Sequence, residues 1–206
     1  MTGVRPFILC LTGSLGMGKS RTAAFFAEQG VPVHDSDAVV HALYAGEAVP
    51  MIEQAFPGST GSGKVDRQKL AGMVLGDAVA LARLEAIVHP LVAAERDKFL
   101  AAAHARGAPV VVIDVPLLFE TGGEGGCDAV VVVSAPPELQ KQRAFERPGM
   151  TEEKFTALVA KQTPDPEKRR RADFIVDSSQ SFDHARAQVR DILDAVAKVR
   201  ASSGDS

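Results

Sequence analysis

The chain has 206 residues, 46% of them hydrophobic, and a formal net charge of −3. That length suits one α/β core with an insertion better than two independent domains, and the charge gives no electrostatic case for nucleic acid or an anionic membrane as partner. No segment approaches the ~20 apolar residues of a membrane helix, and Met1–Pro6 lacks a signal peptide's apolar stretch and cleavage site, so a cytoplasmic protein is expected.

Phe7–Thr12 is an unbroken apolar run of the kind that makes a buried parallel strand. Gly13–Ser20 follows and reads G-x-x-x-x-G-K-[ST] without a gap. Ser20–Gln29 then carries Ala23, Ala24, Phe26 and Ala27 at helical spacing, with Gly30 as a left-handed stop. Strand, glycine loop and helix together form a phosphate cradle. Glycines let backbone N–H groups turn onto phosphate oxygens, and the positive end of the helix dipole faces the same point. In this arrangement Lys19 reaches the β- and γ-phosphates and the Ser20 hydroxyl holds Mg²⁺.

Val31–His34 is a short second strand ending at Asp35-Ser36-Asp37. Asp35 or Ser36 can cap the helix that begins here. Carboxylates at the carboxyl end of a parallel strand also lie where doubly wound sheets bind ligands, and a kinase needs one to accept a hydroxyl proton. From residue 38 to 107 strand signals vanish. Short amphipathic helices are expected over Pro50–Phe56, Arg67–Leu75, Asp77–Val88 and Pro90–Arg106. An interval of about 70 residues far exceeds an ordinary connection and reads as a helical insertion with room for an acceptor pocket. Gly58–Val65 nearly repeats the phosphate-loop pattern, but Val65 has no hydroxyl and Phe56-Pro57 cannot be a central strand, so it reads as a flexible surface turn. His89 stands just before a proline suited to a helix start; it is a structural group or a substrate contact.

Val110–Val115 is the third strand, with Asp114 near its carboxyl end. There it is either a strand-end cap or the magnesium-linked aspartate of a phosphate-loop enzyme. Ala129–Ser134 is the fourth strand and Phe174–Asp177 the fifth. Between them lie a helix opening at Pro136-Pro137-Glu138, another capped by Thr151, and the basic run Lys168–Arg171. With Arg143 and Arg147, this segment has the make-up of a lid that closes on transferred charge. The run alternatively reads as a solvated face or a nucleic-acid patch, with Arg170 and Arg171 the expected solvated members. Ser181 caps a final helix whose Phe182, Ala185, Val189, Ile192, Val196 and Val199 share a face, and Ala201–Ser206 reads as disordered. Cys10 and Cys127 lie in or beside apolar strands without framework spacing and read as small core residues.

Taken together, Leu11–Ser20, Asp35-Ser36-Asp37 with His41, Val88-His89-Pro90-Leu91 and Asp114–Glu120 resemble the dephospho-coenzyme A kinase family. Arg143, Arg147, Gln162 and Ala172-Asp173-Phe174 extend the resemblance over residues 7–200. It implies a P-loop kinase core with a five-stranded parallel sheet (7–37, 108–142 and 173–200), a helical CoA-domain insertion (38–107) and a helical lid (143–172). It also implies transfer of the ATP γ-phosphoryl group to the ribose 3′-hydroxyl of dephospho-CoA, by a monomer or weak homo-oligomer. By the same resemblance Asp37 is the catalytic base, acting with Lys19 and Arg143. Gly13, Gly16, Met17, Gly18, Ser20, Arg21, Thr22 and Arg147 fall on the nucleotide side, and Asp35, His41, His89, Pro116 and Leu117 on the acceptor side. Ser20 is the expected Mg²⁺ ligand and Asp114 a second candidate. Two residues depart from the family pattern. Ser14 stands where glycine is usual and needs a backbone that a non-glycine can adopt, and Arg21 replaces a common threonine. A kinase of another small hydroxyl compound, or a nucleotide-binding switch, fits the loop alone equally well.

Overall fold

A computed structural model describes residues 5–203. Of the expectations above, those on the extreme N-terminus and on the last three residues of the tail fall outside this range in part. Among the described residues, strands β1 (Phe7–Thr12), β2 (Val33–Asp35), β5 (Val110–Asp114), β6 (Ala129–Ser134) and β7 (Phe174–Asp177) form one sheet in the order β2-β5-β1-β6-β7. The sheet is parallel, with Leu11 opposite Asp114 and Thr12 opposite Val132 at the end of β1. Parallel strands covered on both faces need apolar residues at successive positions. The Val-rich sequences of β5 and β6 meet that need, and both strands are buried along their whole length.

The chain divides into two compact units. One consists of the stretch ending at His34 and the stretch beginning at Ala103. It holds the sheet, α1 (Lys19–Glu28), α6 (Pro137–Phe145), α7 (Glu152–Val159), α8 (Asp165–Arg171) and α9 (Phe182–Ser203). Its core joins Leu9, Leu11, Val131 and Val133 of the sheet to Phe25 and Phe26 of α1 and to Val189, Ile192 and Val196 of α9. The expected α9 stripe is therefore buried at its centre, while Phe182 and Val199 at its ends are exposed. Ser181 caps the helix as expected, its hydroxyl accepting from the His184 N–H at 3.1 Å. The helix runs on through Ala201–Ser203, where the sequence had suggested disorder.

The other unit, Asp35–Ala102, has its own core of Leu43, Ile52, Phe56, Val65, Leu70, Leu84 and Val88. It contains α2 (Ser36–Leu43), α3 (Val49–Ala55), α4 (Arg67–Val74) and most of α5 (Ala78–Ala105). Two expectations change here. The break at His89-Pro90 does not occur: α5 is one 28-residue helix with Pro90 inside it. Proline removes one N–H bond and crowds the preceding turn, but the long apolar contacts on either side carry the helix through. The loop-like copy Gly58–Val65 is also no flexible turn. Strands β3 (Thr60–Gly61) and β4 (Lys64–Val65) form an antiparallel hairpin, with Ser62 and Gly63 both at positive φ in its two-residue turn. The Glu53 carboxylate pins it, accepting from the Gly58 N–H at 2.8 Å and from the Thr60 N–H and hydroxyl at 3.1 and 2.7 Å.

Cys10 and Cys127 are not separate core residues; they form a disulfide, with Cα atoms 5.7 Å apart. Pairing of β6 beside β1 brings them together, as the Asp128 N–H donates to the Ile8 carbonyl at 2.9 Å. Their separation of 117 residues leaves no spacing signal to read. Closing so long a loop constrains the unfolded chain, a contribution of about 4–5 kcal/mol in the entropic account. Reduction by excess dithiol should therefore lower the urea midpoint and make both thiols titratable in the denatured protein. Two reactive thiols before any reduction would show that the bond is not made.

Candidate active site

The phosphate loop leaves the central strand β1 at Gly13 and enters α1 at Lys19. Its shape is set by glycine at the positions where a side chain cannot fit. A Cβ on Gly13 would lie 2.7 Å from the Val133 carbonyl oxygen, and one on Gly16 only 2.5 Å from that of Gln140. Gly16 and Gly18 also have φ of +80° and +90°, a region that L side chains enter at a cost. Ser14, the departure from the family pattern, is not among the positive-φ residues, so its backbone is one a non-glycine adopts freely. Met17 is buried beneath the loop, its Sδ accepting from the Ala135 N–H at 3.2 Å.

Helix α1 starts from Gly18 with no side-chain cap and no acidic residue in its first turn. Uncapped N–H groups and the positive dipole end suit an anion. Lys19 is ion-paired there with Asp114, whose side chain is almost wholly buried. The register of β1 against β5 places Asp114, the last residue of β5, beside Leu11. Ser20 is exposed on the first turn of α1. A hydroxyl and one nearby carboxylate suit Mg²⁺, which keeps several waters and takes few protein ligands besides substrate phosphates.

Arg143 on α6 lies against the same loop. Its guanidinium donates to the Ser178 hydroxyl and carbonyl at 2.8 and 2.7 Å, and that hydroxyl donates to the Met17 carbonyl at 2.7 Å. Ser178 is a contact that was not singled out from sequence, because nothing in the spacing of residues after β7 marks it. Thr22 is buried and its hydroxyl is committed to the Gly18 carbonyl at 3.3 Å, so it braces the loop from behind. Arg21 stacks its guanidinium 5.0 Å from the centre of the Phe182 ring. Arg147 is exposed just beyond α6.

The basic segment proves less open than its sequence suggests. Lys168 is fully buried in an ion pair with Glu120 at 2.9 Å. Burial pushes the Glu120 carboxyl up, but Lys168 and the Thr163 N–H outweigh it and hold the group below the usual carboxylate range. Arg170 and Arg171 are exposed as expected, though Arg171 also pairs with Glu124 and lies 4.4 Å from the Phe119 ring centre. Lone basic residues read as a patch cannot reveal this, because their acidic partners stand on the distant loop after β5.

In the unit of Asp35–Ala102, Asp35 caps α2 by accepting from the Ala38 N–H at 2.9 Å. Asp37 is exposed in the first turn of that helix. Both residues are exposed, but the Asp35 carboxylate is engaged with the helix backbone. His41 Nε2 lies 2.6 Å from an Arg67 guanidinium nitrogen, and these residues line a cavity of about 580 Å³ with Tyr44, Lys64, Val65 and Gln68. Arg67 was not singled out from sequence. His89 is exposed on α5. In the other unit, Pro116 accepts from the Thr12 hydroxyl at 3.2 Å through its carbonyl, and Leu117 is exposed.

The dephospho-CoA kinase family model matches residues 7–184. A relative from Mesorhizobium japonicum, named dephospho-CoA kinase, is 60% identical over 195 residues, covering 95% of this chain and 99% of its own. A solved structure from Thermus thermophilus is 34% identical with a TM-score of 0.81, covering 93% of this chain and 98% of that one. The dephospho-CoA kinase of Campylobacter jejuni, 22% identical with a TM-score of 0.61 over 92% of this chain and 96% of that one, shares the fold.

The glycine geometry gives a direct test. Gly16→Ala places a methyl group against the Gln140 carbonyl and asks alanine to hold positive φ, at a cost of roughly 1–3 kcal/mol for the backbone alone. The variant should melt lower and lose nucleotide affinity together, whereas Ser14→Gly should leave nucleotide affinity within a few-fold. Calorimetric titration with ADP checks both.

Proposed function

Because the chain belongs to the dephospho-CoA kinase family, we propose that it transfers the γ-phosphoryl group of ATP to the ribose 3′-hydroxyl of dephospho-CoA, the last step in making coenzyme A. The match of the family across residues 7–184 carries this reading. The uncapped start of α1, with Lys19 and Asp114 beside it, supports the donor half.

In this scheme the loop N–H groups and Lys19 hold the β- and γ-phosphates, and the attacking hydroxyl gives its proton to Asp37. The bond between the γ-phosphorus and its bridging oxygen breaks as the new bond to the acceptor oxygen forms, leaving ADP. Asp37 suits the base role because it is exposed while Asp35 is occupied as a cap. A magnesium ion, held through the Ser20 hydroxyl with Asp114 close to Lys19, would neutralise charge on the transferred group. Arg143, fixed by Ser178 beside Gly18, would add a positive charge on the same side. Phosphoryl transfer asks a protein mainly for positioning and electrostatic stabilisation.

We assign 143–172 to a lid, the sheet and its covering helices to nucleotide binding, and the helical insertion to the acceptor. His41, His89, Pro116 and Leu117 are acceptor-side residues in this reading, and Arg21, Thr22 and Arg147 stand on the nucleotide side, Thr22 through the loop it braces. The cytoplasm is the assigned compartment; its reducing thiols make the Cys10–Cys127 bond the feature least in keeping with that setting.

ADP release should be stimulated by dephospho-CoA above a panel of nucleosides, sugars and shikimate. Stimulation by another compound alone would overturn the reading. Asp37→Asn should retain ADP and ATP binding while turnover falls about 10²- to 10⁴-fold, the usual contribution of a general base. Turnover near that of the unaltered protein would remove Asp37 from this role.

A further inference from the structure

Leu15 is one of the four unspecified positions between the first glycine of the phosphate loop and the last, yet both polar groups of its backbone are held by side chains. Its N–H donates to Gln162 Oε1 at 3.1 Å, and its carbonyl accepts from Gln140 Nε2 at 2.9 Å. Both glutamines come from the segment between β6 and β7. Gln140 lies buried on α6, and Gln162 stands in the turn between α7 and α8. A glycine-rich loop has little intrinsic preference for one backbone conformation, so an external grip on the peptide flanking Gly16 limits which way the neighbouring N–H groups face.

Gln162 is itself held from behind. The next residue, Thr163, donates its N–H to Glu120 Oε1 at 2.7 Å. The same carboxylate takes the fully buried Lys168 of α8 at 2.9 Å. At the far end of that turn, Asp165 accepts from the Ser134 hydroxyl at the end of β6, at 2.8 Å. The turn is thus fastened to the loop after β5 and to the tip of β6, with Gln162 projecting from it onto Leu15. Neither Glu120 nor Lys168 contacts the phosphate loop in these bonds. Their effect on it passes through Gln162.

We propose that Gln162 is a positioning residue for nucleotide binding. It holds the Leu15 peptide so that the phosphate loop keeps its cradle shape, and the Glu120–Lys168 pair is the clasp that sets Gln162 in place. The nucleotide site therefore senses how the α7–α8 turn is seated. A loosened clasp weakens nucleotide binding although no residue of the clasp touches the nucleotide. The inference rests on the nucleotide half of the proposed function and is independent of the acceptor.

The test uses the full chain, ADP as probe and no acceptor, so that it stands whether or not dephospho-CoA proves to be the substrate. Gln162→Met keeps side-chain length and removes the acceptor; Gln162→Glu keeps an acceptor oxygen. Loss of one hydrogen bond of about 1 kcal/mol corresponds to roughly a fivefold change in an equilibrium constant. Gln162→Met should accordingly weaken ADP binding severalfold, and its Leu15 amide should exchange faster with solvent, while Gln162→Glu keeps that amide protected. Glu120→Gln preserves an acceptor for Thr163 and breaks the ion pair. Combined with Gln162→Met, it should add less to the loss of ADP affinity than it does alone, because both act through one contact. Unchanged ADP affinity and unchanged Leu15 exchange in Gln162→Met would overturn the proposal. So would a lower melting temperature unaccompanied by either change, since that is the mark of a merely structural residue. Should Glu120→Gln fail to fold, the two Gln162 variants decide the matter alone.

Discussion

The absence of a side chain at Gly13 and Gly16 is the constraint on which the rest of the site depends. The loop lies so close to β6 and to α6 that a single Cβ at either position would overlap a carbonyl oxygen. This closeness lets Met17 pack beneath the loop, lets Gln140 and Ser178 reach its carbonyls, and brings Lys19 down beside Asp114. A loop one carbon atom farther out would keep its sequence pattern and lose these contacts. The pattern is thus a statement about distance as well as about backbone freedom.

Around this loop and the segment between β6 and β7, several charges are paired within the chain. Lys19 faces Asp114, Lys168 faces Glu120, Arg171 faces Glu124, and Arg143 is spread over the hydroxyl and carbonyl of Ser178. A buried pair of this kind contributes less to stability than its Coulomb attraction suggests, because both ions lose water. Its larger effect is on orientation: each pair fixes one segment against another. Glu120 is the clearest case, since one carboxylate receives both a backbone N–H and a buried ammonium. The α7–α8 turn and α8 are for this reason seated on the loop after β5, with Lys168 buried and Arg169, Arg170 and Arg171 exposed.

Particular elements show where reading the sequence succeeds. Strands β6 and β7 have the expected ends because each is an apolar run bounded by polar or proline residues. The helix caps at Asp35, Thr151 and Ser181 follow local rules and are found. The hairpin β3–β4 was missed because two-residue strands carry no periodicity, and glycine and serine in its turn imitate a phosphate loop. The continuity of α5 was missed because Pro90 is locally a stop signal, overridden by packing along the helix on both sides of it.

What the amino-acid order determined by itself was therefore the local chemistry: a strand, a glycine loop and a helix that together bind phosphate, two aspartates after the second strand, and the family to which those patterns belong. These depend on backbone conformation and on residues a few positions apart, and such information is written consecutively. Only the tertiary structure decided which charges pair, that Cys10 meets Cys127, that Asp37 is exposed, and that Gln162 holds Leu15. The pairings join parts of the chain that are far apart in sequence, and solvent exposure likewise depends on everything packed nearby. The phosphate loop belongs to both lists: its eight residues specify a cradle, and distant side chains hold the cradle in shape.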